Sequence, residues 1–69
     1  MPISMAEPNK EMIISRIGGS EKIKKHLQNM GFIVGEPITV INKINDNVIV
    51  KLKGVSLAVT SDLAAKIYV

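Results

Sequence analysis

The stretch NMGFIVGEPITV, residues 29–40, joins a helix-like segment to a strand-like one and decides how the chain folds. Gly31 stands where an amphipathic helix would end, because the residue after a helix is often a left-handed glycine. Phe32 follows, where an apolar side chain commonly packs back onto the last helical turn. Gly35 and Pro37 then introduce a β-branched run, and proline is tolerated at the first residue of a strand. The stretch predicts a helix end, a short apolar corner and a strand.

The chain before this corner predicts a turn, a strand and a helix. Residues 2–9 hold two prolines and predict a capping turn. KEMIISRI, residues 10–17, is rich in β-branched residues and predicts a first strand that Gly18-Gly19 ends. Ser20 offers an N-cap for a helix over EKIKKHLQNM, residues 21–30. The apolar stripe of that helix has the spacing i, i+4, i+7 and consists of Ile23, Leu27 and Met30.

The chain after the corner alternates between apolar and polar residues, as antiparallel strands do. The segments PITVINKI (37–44), VIVKLK (48–53) and VSLAVT (55–60) predict three strands. Turns at 45–47 and at Lys53-Gly54 join them. The predicted inward-facing residues are Ile38, Val40, Ile44, Val48, Val50, Leu52, Val55, Leu57 and Val59.

These turns fix a register that pairs Ile44 with Val48 and Leu52 with Val55. The register turns Asn42 inward, which either a β-bulge or a position at a barrel rim would explain. It turns Ile41 and Ile49 outward.

The last residues predict a helical turn, LAAKI, capped by Ser61-Asp62, and a closing strand in IYV. Closing such a sheet into a barrel removes its exposed edges. The sequence therefore predicts one domain over residues 1–69. It is mainly β, a small SH3-like five-stranded barrel with one short α-helix inserted after the first strand.

Composition limits the function classes. The 69 residues include no cysteine, one histidine and a formal net charge of +3. The first residues lack the basic and apolar regions of a signal peptide, and no apolar run is long enough to span a bilayer, so we expect a cytoplasmic protein. The only aromatic residues are Phe32 and Tyr68, which leaves few platforms for stacking nucleic-acid bases.

The order of motifs resembles the FeoA family, the small accessory proteins of bacterial ferrous-iron transport. The run from Ile14 to Gly19, the corner Leu27-x-x-Met30-Gly31-Phe32-x-x-Gly35 and the ending from Ala64 to Val69 carry the resemblance, which covers nearly the whole chain. The corner is similar to the family's Leu-x-x-Leu-Gly-Leu-x-x-Gly. The chain departs from the family at His26, where a basic residue is common, and at 45–47, where the family often has a longer loop.

The resemblance implies an SH3-like barrel without catalysis that docks on the cytosolic part of a FeoB-type membrane GTPase transporter. The protein would then lie at the inner face of the membrane through its partner. A small basic nucleic-acid-binding barrel, using Lys43, Lys51 and Lys53, stays open as an alternative. So does a detached metal-sensing module like the C-terminal domain of DtxR-type repressors.

Site chemistry in the sequence is sparse. No Gly-x-Ser-x-Gly or phosphate-loop motif is present, so we expect no enzyme. His26 is the one imidazole and a weak candidate ligand for a divalent transition metal, because such ions need several converging ligands. We therefore expect no cofactor within one chain.

Apolar residues at the corner exceed what a helix end needs, and exposed apolar patches often mark interfaces. The predicted partner-binding residues are Phe32, Ile33, Val34, Ile41 and Ile49. Among them, Phe32 is expected to pack on the helix, and at least one of Ile33 and Val34 to face outward.

Overall fold

The computed structural model describes residues 1–69, and its secondary structure is mainly β. A short 3-10 helix, Ile3–Met5, comes first. The six strands are β1 (Glu11–Ile13), β2 (Arg16–Ile17), β3 (Pro37–Ile44), β4 (Asn47–Leu52), β5 (Val55–Thr60) and β6 (Ile67–Tyr68). The α-helices are α1 (Glu21–Asn29), between β2 and β3, and α2 (Ser61–Ala64), between β5 and β6.

The strands form two antiparallel sheets. The larger sheet has the order β1-β3-β4-β5, and β2 pairs with β6 in the smaller one. The predicted SH3-like fold, mainly β with a helix after the first strand segment, is confirmed. The barrel is not closed by one continuous hydrogen-bond ladder, and it has six strands because the first predicted strand is divided.

The prediction of a single strand over residues 10–17 is wrong. β1 pairs with β3 while β2 pairs with β6, so the chain crosses from one sheet to the other at Ile14. At the crossing the Ile14 N–H donates to the Glu36 carbonyl (3.0 Å) and the Ser15 N–H to the Tyr68 carbonyl (2.8 Å). Ile14 itself is buried. The N–H groups of Ile14 and Ser15 thus bond to two distant parts of the chain, and no pattern within residues 10–17 reveals this.

A β-bulge explains the misfit at Asn42. Val40 pairs with Val50, but Asn42 pairs with Ile49, so Ile41 is an extra residue on its strand. Asn42 is consequently exposed instead of facing the core. Of the two explanations that the sequence allowed, the structure has the bulge.

The turn between β3 and β4 is shorter than predicted. Ile44 pairs with Asn47, not with Val48, which leaves the two-residue loop Asn45-Asp46. Asn45 adopts a φ of 54° there. Ile44 is 51% exposed, so its predicted place in the core is wrong. The reason is the bulge, because one extra residue reverses the alternation of the strand beyond it.

The hairpin between β4 and β5 is confirmed, with Leu52 paired to Val55. Lys53 and Gly54 have φ values of 53° and 78°, and two positive φ angles in a two-residue loop are typical of a type I′ turn. The expected burial of Val55 is wrong: it shares a face with Leu52, but at the first residue of β5 its side chain is 60% exposed. Leu57 is half-buried and packs against the core.

The core consists entirely of apolar side chains. Its thirteen buried members are Ile3, Ala6, Ile14, Leu27, Phe32, Ile38, Val40, Val48, Val50, Leu52, Val59, Ala64 and Ile67. Ile3 and Ala6 come from the segment predicted as a capping turn. That segment instead provides core residues, since its 3-10 helix packs against α2.

Both helices begin at hydroxyl caps. The Ser20 Oγ accepts a hydrogen bond from the Ile23 N–H at 3.2 Å, which confirms the predicted N-cap of α1. In α2 the cap is Thr60, whose Oγ1 accepts from the Leu63 N–H at 3.3 Å. The predicted cap at Ser61-Asp62 is therefore displaced by one residue, and the Ser61 hydroxyl donates to the Asp46 carbonyl instead.

Candidate functional site

The end of α1 builds the corner that the sequence singled out. The Gly31 N–H donates to the Gln28 carbonyl (2.9 Å) and the Phe32 N–H to the Leu27 carbonyl (3.0 Å). These are the two bonds of a Schellman motif. Gly31 has the positive φ, 103°, that the motif requires and that favours glycine. The predicted helix end at Gly31 is confirmed.

Phe32 locks this helix end into the core. Its side chain is completely buried, and it is one of the largest side chains there. The prediction that Phe32 packs back onto the helix agrees with this burial. It also corrects the predicted partner-binding set, because a fully buried side chain offers no surface to a partner.

Two apolar side chains at the tip of the corner face solvent. Ile33 is 43% exposed and Val34 is 58% exposed. Hydrogen bonds hold the backbone around them, since the Glu36 N–H donates to the Ile33 carbonyl (3.0 Å) and the Gly35 N–H to the Ile14 carbonyl (2.8 Å). The tip is thus fixed both within its own turn and to the crossing between the sheets. The two side chains are held at the surface by a bonded backbone.

The β4–β5 turn lies beside this corner. A Cβ placed on Gly31 would stand 3.2 Å from Cδ2 of Leu52, the last residue of β4. The Lys53 Nζ lies 3.9 Å from the Glu36 Oε1, an ion pair between the turn and the corner. Leu52 and Lys53, which lead into the turn before β5, therefore lie beside the helix end and Glu36.

Val55 adds a third exposed apolar side chain to this end of the molecule, since it pairs with Leu52. We call Ile33, Val34 and Val55 the corner surface. Exposed apolar side chains at one end of a molecule are candidates for a binding surface. Sequence reasoning missed Val55 because alternation placed it inward. Its position directly after Gly54, at the end of the sheet, is the signal that could have shown its exposure.

Ile41 and Ile49 do not join the corner surface. Ile49 alternates with the buried Val48 and Val50 and therefore lies on the outer face of the sheet, half-buried. Ile41 is the half-buried bulge residue beside it. At about 3.3 Å per residue, Ile41 stands roughly 13 Å along the strand from Pro37, where the corner ends. The five predicted partner-binding residues therefore do not form one patch.

An open groove of about 690 Å³ crosses the outer face of the larger sheet. It is lined by Asn9, Glu11, Glu36, Pro37, Thr39, Ile41, Lys51, Lys53 and Gly54. Lys51 and Lys53, two of the lysines proposed for nucleic acid, thus share it with the carboxylates Glu11 and Glu36. The third, Lys43, donates its Nζ proton to the Ser4 carbonyl at 2.6 Å. The groove is of mixed charge instead of uniformly basic.

His26 is exposed on α1. The structure contains no group of three or more His, Cys, Asp or Glu side chains placed to hold a metal ion. The one imidazole therefore lacks the two companions that a site within one chain would need.

None of the helices has the length and apolar character needed to cross a membrane.

The comparison with protein families decides the relationship. The model of the FeoA domain matches residues 1–69, the entire sequence. The chain belongs to the FeoA domain family. The FeoA match includes the corner, the divided first strand and the closing strand, so the resemblance seen in the motifs is confirmed.

Relatives support the same grouping. A Methanocaldococcus jannaschii protein provisionally named Fe(2+) transport protein A is 32% identical over 68 residues, covering 99% of this chain and 83% of its own length. The crystal structure of an iron uptake regulatory protein, FeoA, superposes with a TM-score of 0.88 at 26% identity, covering 97% of this chain and 91% of that one.

The same fold also occurs in a different class of protein. A manganese-dependent transcriptional repressor superposes with a TM-score of 0.90 at 12% identity, covering all of this FeoA domain but 40% of the repressor. At that identity the likeness concerns the fold alone. The repressor therefore agrees with the predicted architecture and says nothing of this chain's ligand or partner.

Proposed function

We propose that this chain is a non-enzymatic accessory protein of ferrous-iron transport that docks on the cytosolic part of a FeoB-type membrane GTPase transporter. Membership of the FeoA family and the names of its relatives support the role in iron transport. The protein would act in the cytoplasm, at the inner face of the membrane through its partner.

One observation carries the docking proposal: the corner surface is apolar, exposed and held in place. Ile33 and Val34 are exposed although the chain around them has bonded partners on both sides. A surface that is already ordered loses little conformational entropy on binding, so more of the free energy of burial contributes to affinity. An apolar surface without catalytic groups fits a docking role better than a chemical one.

The partner would present an apolar pocket or segment to Ile33 and Val34. The ion pair of Lys53 and Glu36 lies beside the corner, where polar groups of a partner could bind. This division into an apolar centre and a polar rim is usual in protein interfaces.

Charge introduced at the tip tests the proposal. Val34→Asp should keep the fold, because the side chain is 58% exposed, and should weaken binding to the transporter's cytosolic region at least about tenfold. The matched control is Ile44→Asp, which alters an equally apolar side chain, 51% exposed, at the β3–β4 turn. Calorimetric titration measures both affinities after circular dichroism has verified the fold.

We expect Ile44→Asp to bind like the wild type. Equal losses in both variants would show a general effect of added negative charge. A folded Val34→Asp variant with wild-type affinity would contradict docking through the corner.

A further inference from the structure

The outer edge of β5 carries backbone groups that have no partner. β5 is the last strand of the four-stranded sheet and pairs only with β4. Leu52 and Val55 flank a two-residue turn and so form a hydrogen-bonded pair, which makes the next such pair Val50–Leu57. The N–H and C=O groups of Ser56 and Ala58 therefore point away from β4. No bond outside the strand ladder uses them.

This edge also lacks the features that usually protect exposed strands. Such strands commonly carry a lysine, a proline or a bulge, which prevent other chains from pairing with them. VSLAVT, residues 55–60, contains no charge and no proline, and its register with β4 is regular throughout. Ser56 and Ala58 are exposed. Among protein segments, an extended backbone is the one that satisfies alternating N–H and C=O groups of this kind, so the protein partner that fits this edge is another strand.

The order of residues identifies the strand that fits. Around Leu57 the sequence is nearly symmetric: Ser56 and Ala58 are both small, and Val55 and Val59 are identical. We propose that β5 of a second copy pairs antiparallel with β5 across a twofold axis at Leu57. Leu57 then faces its own copy, Ser56 faces Ala58, and Val55 faces Val59. No charges oppose each other, and each contact away from the axis occurs twice, as a twofold interface requires.

The pairing would join two four-stranded sheets into one continuous sheet. Each Ser56–Ala58 pair exchanges two backbone hydrogen bonds in this register. The apolar side chains of Leu57, half-buried in one copy, would cover each other at the axis. Val55 belongs both to this edge and to the corner surface, so no variant in these tests changes it.

A proline that removes one donor tests the edge. In Ala58→Pro the lost N–H points away from β4, so the hairpin keeps its own bonds, and proline is tolerated on edge strands in this orientation. We expect the full chain to dimerise as its concentration rises in sedimentation equilibrium. We expect Ala58→Pro to weaken that dimer at least about tenfold. The control Ala58→Thr retains the N–H and should dimerise like the wild type.

A disulfide cross-link tests the register without the proline of Ala58→Pro. The chain has no cysteine of its own that could interfere. At the axis, the Cα atoms of a directly opposed non-hydrogen-bonded pair stand about 4.5 Å apart, within disulfide range. Leu57→Cys should therefore form a disulfide-linked dimer on mild oxidation. Ser56→Cys should not, because its two copies are diagonal, about 7–8 Å apart.

A wild type that stays monomeric at all concentrations would overturn the proposal. A dimer that Ala58→Pro leaves intact, or that links Ser56→Cys as readily as Leu57→Cys, would overturn it as well.

Discussion

Gly31 shows how much a single residue decides in this chain. It ends α1 with a φ of 103°, and it stands so close to Leu52 that a side chain there would press on the core. Gly35 also has a positive φ, 95°, but a Cβ on it would meet nothing within 4 Å. A side chain at Gly35 would therefore meet backbone strain alone, whereas one at Gly31 would meet both backbone strain and a steric contact with Leu52.

Gly31→Ala should destabilise the protein more than Gly35→Ala. Each should cost about 1–2 kcal/mol of unfolding free energy, because an L-residue is strained at positive φ. Only Gly31→Ala adds contact with Leu52, whose side chain is buried and has little room to move. Urea denaturation of both variants measures the difference. Equal losses would show that the contact with Leu52 has no energetic consequence.

Residue patterns predicted the corner well because its signals are local. A glycine, an aromatic residue and the preceding helical stripe lie within a few positions, so the packing of Phe32 onto the helix and the exposure of at least one of Ile33 and Val34 were expected; both of the latter are exposed. The exposure of Val55 did not follow, because alternation gives the face of a strand but not where the covering layer ends.

The β4–β5 turn has type I′ geometry, but it places a lysine where the backbone φ is positive. Lys53 adopts a φ of 53°, although asparagine and glycine tolerate this region better than lysine. Its ion pair with Glu36 is long, 3.9 Å, and partly exposed on both sides, so it contributes little to stability.

Lys53→Asn should therefore raise the unfolding free energy by a few tenths of a kcal/mol or more, since Asn-Gly is preferred in type I′ turns. Thermal melting with Lys51→Asn as the control checks this expectation. The control removes a lysine at the next-to-last residue of β4, where no positive φ exists to relieve, and should not stabilise. A lower melting temperature for Lys53→Asn would mean that the ion pair outweighs the turn geometry.

Elements with strong local signals were predicted from sequence: α1 with its cap at Ser20, the β4–β5 hairpin and the closing strand β6. The features that the sequence did not predict depend on hydrogen-bond partners far along the chain. The strand crossing at Ile14 is set by its backbone hydrogen bonds with Gly35 and Glu36, and the phase of β3 is set by a bulge whose place the sequence did not reveal. Such features arise when sheets meet, so periodicity within one segment does not encode them.

At the scale of the whole molecule, the distribution of charge bears on the nucleic-acid alternative. The net charge of +3 is small, and the groove holding Lys51 and Lys53 also holds Glu11 and Glu36. Phosphate binding needs a surface where cations are not offset by neighbouring carboxylates.

We expect no binding to duplex DNA or single-stranded RNA at physiological salt. Fluorescence anisotropy with labelled oligonucleotides measures this directly. An affinity tighter than about 1 μM that falls steeply with salt would favour the nucleic-acid reading instead.

An NMR titration shows which residues of the chain bind the transporter. Isotope-labelled protein is titrated with the unlabelled cytosolic region of the FeoB-type transporter, and amide shifts are followed along the chain. Docking through the corner predicts that the largest changes fall on residues 31–36 and 53–55, where the corner and the β4–β5 turn lie together. Changes confined to Ile41, Ile49 and the Asn45-Asp46 turn, with the corner unaffected, would contradict it.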